Sequence, residues 1–317
     1  MLVTGAGGFL GGHLVRLAAA RGWQVRGLDL AHPREAPYEA LVGSVESPRQ
    51  VAAAMEGADA VIHAAALTPL WYPDRRAYFR VNAGGSAHVA RAARIAGARM
   101  VQVSSYTVLV GAAAPGTLLD ETAELDPRQT LGAYPASKRE AELAVLAEVA
   151  EGLDASIVLP SAPVGPGDRT PTAPMRLIGN LVRGRLPALF ETSMNLVAVE
   201  AVAEGCLAAL ERGQPGRRYL LSGEDALLSE VAAEVARLAN VRAPSARVPA
   251  WLAMVAAYFS EMGAFFGSGE AGAPITGVRL AAAAPRFSNA RARAELGFDP
   301  PPLAETLAAA VRAVQAA

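Results

Sequence analysis

Tyr134 and Lys138 stand four residues apart in the string Tyr134-Pro-Ala-Ser-Lys138. On a helix, i and i+4 share a face. Pro135 fits there only if this is the first helical turn. A free phenol has a pKa of about 10 and is a poor base at neutral pH. An ammonium beside it favours the phenolate. Such a tyrosine can serve as general acid/base at a carbonyl or hydroxyl. The competing reading is an exposed helical pair of no consequence. Two features favour chemistry. Val101-Gln-Val-Ser104-Ser105 ends a predicted strand in hydroxyls, and parallel α/β sheets gather ligands at the carboxyl ends of their strands. Ser105 is the candidate to hold a substrate oxygen, with Ser104 and Thr107 as alternatives. Lys138 is also the only lysine: the other 28 of the 29 Lys+Arg are arginines. A planar guanidinium does not replace a compact ammonium.

A second constellation lies at the start of the chain. Thr4-Gly-Ala-Gly-Gly-Phe-Leu-Gly11 falls between a predicted first strand and a predicted first helix, with Gly5, Gly8 and Gly11 three apart. Glycines there permit a tight turn, a close approach of backbone to a pyrophosphate, and helix–strand contact without an intervening Cβ. The free N–H groups of a helix start then face the phosphates. Gly7, Phe9 and Leu10 belong to the same cradle. Asp29 ends the second strand 18 residues after Gly11. Its carboxylate can accept from a ribose diol and repels a 2′-phosphate, which favours NAD over NADP. NADP stays open.

The elements that must position these groups alternate. Strand-like runs occur at 1–4, 24–28, 60–63, 100–103 and 156–159. Helical periodicity covers residues up to 22, then 78–96 and 136–150. This alternation argues for βαβ units and a Rossmann-type, doubly wound parallel sheet. Residues 160–174 are rich in Pro and Gly and read as a loop. A strand at 195–199 and a helix to 210 are expected to return to the sheet. From about 223 the chain is mostly helical. The expected division is a dinucleotide domain at 1–160, rejoined by 195–222, and a smaller substrate lobe from 161–194 and 223–317. The apolar segment 249–266 either lines a lipid-like pocket or packs inside that lobe, and packing is the commoner use of aromatic stripes.

Composition removes other classes. With 29 Lys+Arg against 30 Asp+Glu the net charge is −1, which gives no basic field for nucleic acid. With 52% hydrophobic residues and 19% charged, a large core can form. No apolar run approaches the roughly 18 residues of a membrane span. One cysteine, Cys206, suits a reducing compartment, and no signal pattern opens the chain; a cytoplasmic location is the expectation. The first strand starts so early that a few upstream residues are expected to be missing or unusually short. The four histidines form no metal spacing, with each other or with Cys206.

Taken together, Thr4-Gly-x-x-Gly-x-x-Gly11, Asp29, His63-Ala-Ala-Ala66, Val81-Asn82, Ser104-Ser105 and Tyr134-x-x-x-Lys138 resemble the extended short-chain dehydrogenase/reductase family, of the NAD-dependent epimerase/dehydratase type. The run from Pro163 through Asn195-Leu-Val looks closest to the hopanoid-associated sugar epimerase group. Dihydroflavonol reductases and 3β-hydroxysteroid dehydrogenases are similar neighbours. The resemblance implies that Tyr134 is the acid/base. Lys138 would lower its pKa and hold the nicotinamide ribose, and Ser105 would polarise the substrate oxygen. Asn82 would order the proton path or its helix; a plain helix cap is the competing role. Ala64, Ala65, Ala66 and Pro160 would lie against the cofactor. Trp71, Tyr106, Thr107 and Ser161 would meet substrate. It also implies a homodimer through the helices at 78–96 and 136–150.

Some departures matter. Gly43-Ser44 lacks the family's usual adenine-reading Asp, and Leu159 replaces its Arg or Asn. Ala198-Val-Glu-Ala201 replaces a His-Val-Asp-Asp run. Sugar-nucleotide dehydratases resemble each other in placing an acidic pair right after the strand-end hydroxyl; Tyr106 and Thr107 stand there in this chain, so dehydration is disfavoured. The expected function is an NAD(P)-dependent oxidoreductase interconverting a hydroxyl and a ketone on an apolar or sugar-bearing small molecule. A nucleotide-sugar epimerase is the alternative, for which Arg169, Arg176, Arg279 and Arg286 could bind a diphosphate. A nucleotide-sensing protein without catalysis is a third reading, disfavoured by an intact Tyr134/Lys138 pair.

Overall fold

The computed structural model describes residues 1–33, 35–111, 114–267 and 272–316. The first half runs β1 (Leu2–Thr4), α1 (Phe9–Ala20), β2 (Arg26–Asp29), β3 (Glu39–Val42), α2 (Pro48–Met55) and β4 (Ala60–His63). Next come α3 (Arg75–Tyr78), α4 (Gly85–Ala96), β5 (Arg99–Val103), β6 (Leu118–Leu119), α5 (Ala133–Ala150) and β7 (Ala155–Pro160). The second half adds β8 (Ala162–Val164), α6 (Ala173–Val182), β9 (Ala188–Phe190), β10 (Ser193–Ala198), α7 (Val199–Arg212) and β11 (Arg218–Leu221). It ends in β12 (Glu224–Leu227), α8 (Leu228–Ala239), β13 (Ala246–Val248), α9 (Ala250–Phe266), α10 (Ile275–Ala283), β14 (Arg286–Phe287), α11 (Ala290–Leu296) and α12 (Leu303–Gln315).

Seven strands form one parallel sheet in the order β11-β7-β5-β4-β1-β2-β3. Its central strands are apolar on both faces because helices cover both. On one face α2, α4 and α5 pack over Val61, Met100 and Ala155; on the other α1 and α7 pack over Val3, Val101 and Val158. The doubly wound sheet expected from the alternation is therefore present, and every glycine-loop and hydroxyl motif sits at its carboxyl edge.

Three segments differ from the reading by pattern. Residues 193–198 do not join the main sheet. They form β10, between β8 and β12 in a separate three-stranded sheet. Leu196 there is buried with Ile178, Val231 and Leu307, a core made by α6, α8 and α12. Only α7 and β11 return to the main sheet. Within 160–174, β8 is a strand that the prolines hid. It lies at the edge of its sheet, where Pro163 is tolerated. The helical pattern at 78–96 is broken by a π-helical turn at Phe79–Gly84, a feature that frequently marks functional sites.

The apolar segment at 249–266 forms α9, but it does not pack as core. Only Ala257 and Ala264 are buried, and its large side chains face out.

Ile62, fully buried in central β4, tests the sheet core. Ile62→Ala is expected to cost about 3 kcal/mol of stability by cavity formation, read from urea unfolding.

Candidate active site

The glycine loop is set by contacts that leave no room for side chains. Gly5 has φ +72°, and a Cβ on it would lie 2.7 Å from the Ala65 nitrogen. A Cβ on Gly11 would lie 1.8 Å from the Gly5 oxygen. The loop thus closes against the end of β4 and against the first turn of α1. Gly8 caps α1 without any side-chain partner, and no acidic residue occupies the first turn. The N–H groups of Phe9, Leu10 and Gly11 are the unpaired donors of that turn. They fit a pyrophosphate, whose charge the helix start favours.

Asp29 ends β2 beside this loop. Its Oδ2 accepts from Gly7 N at 2.9 Å and its Oδ1 from Leu30 N at 2.6 Å. Both oxygens keep further lone pairs, so the carboxylate fits a ribose diol. The Tyr38 phenol is pushed up by burial and by the Asp29 charge, while Arg169 pulls it down.

At the end of β5 the two serines separate. Ser104 Oγ donates to buried Glu142 Oε1 at 2.6 Å. Glu142 also pairs with Arg139 at 2.8 Å and Arg218 at 3.3 Å. Ser105 turns the other way. Its Oγ accepts from Thr107 N and Thr107 Oγ1 at 3.3 and 3.0 Å, and it acts on the Tyr134 phenol, whose pKa it pulls down. Of the three hydroxyls left open by sequence, Ser105 is the one that meets Tyr134. Thr107 supports it, and Ser104 belongs to the carboxylate network behind.

Tyr134 and Lys138 occupy the first two turns of α5, with Pro135 in the first turn, as the spacing required. Lys138 is buried, and its Nζ donates to Val103 O at 2.6 Å. Burial lowers its pKa to about 8, and Glu142 acts to raise it. The Tyr134 phenol is pushed up by burial and pulled down by Ser105. Lys138 is not among the groups that move the Tyr134 phenol in the chain itself; burial outweighs the pull of Ser105.

Asn82, in the π-helical turn, has its whole amide engaged. Oδ1 accepts from Leu67 N at 2.8 Å, while Nδ2 donates to Leu67 O and Ser137 Oγ at 3.1 and 2.9 Å. It clamps the segment after β4 to α5 and is not a helix cap. Ala64, Ala65 and Ala66 are half-buried in that clamped segment, with Ala64 and Ala65 hydrogen-bonded to Thr4. Pro160 ends β7, and Ser161 beyond it is buried with an unpartnered hydroxyl.

Tyr106 is half-buried against the ring of Phe287; burial, then Tyr134, pushes its phenol up to about 12. Trp71 is half-buried, next to Tyr72. The four arginines considered for a diphosphate have different partners. Arg169 acts on Tyr38, Arg176 donates to Pro171 O, Arg279 lies on α10, and Arg286 pairs with Asp225.

Sequence reasoning gave no role to three residues around the site. Tyr78 places its ring against Tyr134, centroids 6.3 Å apart, and donates to Pro69 O at 2.5 Å. Nothing in sequence links positions 78 and 134. Glu142 lies four residues after Lys138, a spacing that could have flagged it. His63 is buried between Thr4 Oγ1 and Ser86 Oγ. Burial and then the Lys138 charge hold its pKa down to about 3. Among the described residues no His, Cys, Asp and Glu cluster could hold a metal.

This site, on this sheet, is that of a dinucleotide-dependent enzyme. Residues 1–222 match the model of the NAD dependent epimerase/dehydratase family, and the chain belongs to that family. It is an NAD(P)-dependent oxidoreductase/epimerase of the extended short-chain dehydrogenase/reductase type. A provisional dihydroflavonol 4-reductase of Synechocystis sp. is 32% identical, covering 98% of this chain and 92% of that protein. Sterol demethylase protein B of Methylococcus capsulatus is 31% identical, covering 94% of this chain and 93% of the relative. The crystal structure of gox2253 superposes with a TM-score of 0.84 at 32% identity, over 99% of this chain and 97% of that one.

The divergence of the two serines gives opposite expectations. Ser105→Ala lowers kcat/KM by about 100-fold with little loss of stability. Ser104→Ala costs about 2 kcal/mol of stability by removing a hydrogen bond from a buried carboxylate. Its kcat/KM changes far less. Thermal melts and steady-state rates on the two variants check this.

Proposed function

We propose that the chain interconverts a secondary hydroxyl and a ketone on an apolar small molecule, with NAD as its hydride partner. The observation that carries this reading is the placement of Ser105 and Tyr134 together at the carboxyl edge of the sheet, where Ser105 acts on the phenol, with Lys138 one turn behind on α5. When bound, the nicotinamide exchanges the hydride. Ser105 and the Tyr134 hydroxyl would hold the substrate oxygen, and Tyr134 would give or take its proton. Lys138 would hold the nicotinamide ribose and support the phenolate; Asn82 would keep α5 and the 64–67 segment in place. Gly5, Gly7, Gly8, Phe9, Leu10, Gly11 and Asp29 would hold the adenosine diphosphate, and Pro160 would back the nicotinamide.

An apolar substrate is supported by the aromatic surroundings of Tyr134. It is also supported by relatives named for a dihydroflavonol and a sterol. The lobe of 161–194 and 223–317 would supply the rest of the substrate wall to the 1–160 domain. A homodimer through α4 and α5 is supported by the exposed Ile95 and Leu143 on those helices. Among the described residues no helix is long and apolar enough to cross a membrane.

Two measurements test the reading. Tyr134→Phe is expected to lower ketone reduction by NADH at least about 100-fold, with NAD affinity close to wild type. Unchanged turnover would sink the assignment. Wild type is expected to bind NAD more tightly than NADP, and Asp29→Ala to weaken NAD about tenfold. Tighter binding of NADP by wild type would remove the role given to Asp29.

A further inference from the structure

Helix α9 has its faces inverted. Its inward stripe is mostly small: Ala257 and Ala264 are buried, and Ala253, Met254 and Ser260 are half-buried. Its outward face carries Trp251, Phe259, Phe265 and Phe266 at 67, 67, 68 and 84% exposure, joined by Val255, Tyr258 and Met262. The spacing 251, 255, 258, 262, 265 makes one continuous stripe. The only ionisable acid or base on the helix besides Tyr258 is Glu261, and it is turned inward, accepting from Ile275 N at 2.7 Å. An exposed apolar patch of this kind marks an interaction surface.

Its surroundings point to one partner. α9 follows directly from β13, which pairs in parallel with β9. The two strands and their approaches carry Arg183, Arg185, Arg242 and Arg247 against one acid, Glu191. Arg247 pairs with Glu191 at 3.6 Å; the other three have no ion pair among the described residues. Parallel pairing puts Arg185 and Arg242 at the same end of the ribbon. A helix with Trp, Phe and Met on its free face, entered through a basic strand pair, matches a lipid surface with anionic headgroups. At 17 residues α9 is about 25 Å long. That length suits lying along an interface, with Trp251 and Tyr258 at headgroup depth.

The position is also informative. α10 carries α9 and reaches the site: Thr276 lies where a Cβ on Gly132, the cap before Tyr134, would be 2.5 Å away. The Glu261 charge acts on Tyr78, the ring against Tyr134. We propose that the exposed α9 face, with the β9–β13 arginines, docks this enzyme on an anionic lipid surface and holds the mouth of the Tyr134 site there. The docking argument rests on α9 and its arginines, and it stands with any substrate.

Sedimentation of the full chain with phosphatidylcholine vesicles, with and without phosphatidylglycerol, tests this. Wild type is expected to bind the anionic vesicles and to release as salt rises. The double variant Phe259→Ser/Phe265→Ser is expected to bind at least about tenfold more weakly, with an unchanged melting temperature because both rings are exposed. Arg242→Gln/Arg247→Gln should erase the preference for phosphatidylglycerol. Absence of vesicle binding by wild type at low salt overturns the proposal. So does a concentration-dependent oligomer that Phe259→Ser/Phe265→Ser dissolves while vesicles bind neither form, which would make a second copy the occupant. Ketone reduction in detergent-free buffer, measured on the same variants, separates loss of docking from loss of the reaction.

Discussion

A buried ammonium governs how the carboxyl edge of this sheet is assembled. Lys138 is 3% exposed, and a charge in that position persists only with partners. Its Nζ reaches Val103 O, which ties α5 to β5. Glu142, one turn further along α5, supplies the opposite charge and is itself held by Ser104, Arg139 and Arg218. Arg218 comes from β11, so the network spans from the middle of the sheet to its last strand. Beneath the ammonium, His63 is kept neutral. A buried ion network of this kind adds little net stability but is costly to break, and so it fixes how α5 sits. Tyr134 is placed by that seating.

Asn82 performs the matching task without charge. Its amide binds the Leu67 backbone at both ends and reaches Ser137 on α5. The π-helical turn around it breaks the regular ladder. The glycine loop, the 64–67 segment and the start of α5 are thereby coupled through a few short contacts, which is the preorganisation that proton and hydride chemistry needs. Thr276 of α10 packs against Gly132 at the same start of α5, so α9 and the site share one support.

Local pattern was enough for the sheet and the loop. The glycines, Asp29 and the apolar runs act on near neighbours, and a period of two or 3.6 records them. It was not enough to choose between Ser104 and Ser105. Adjacent strand residues face opposite sides, and which side holds Glu142 is a tertiary fact. Tyr78 against Tyr134, and β10 in a second sheet, were hidden for the same reason. α9 was misread for a deeper one. Composition equates aromatic density with burial, while only the packing of Ala257 and Ala264 against the protein shows which face was left outside.

Because Lys138 is the only lysine, its titration can be followed without ambiguity. Isotope-labelled lysine gives one side-chain resonance in the whole protein, free of overlap. The account predicts a single midpoint near 8, well below the 10.5 of a free lysine, and a shift of that resonance when NAD is added. A midpoint at 10.5, unmoved by NAD, would mean that the ammonium is solvated and apart from the cofactor, and would contradict the account at its centre.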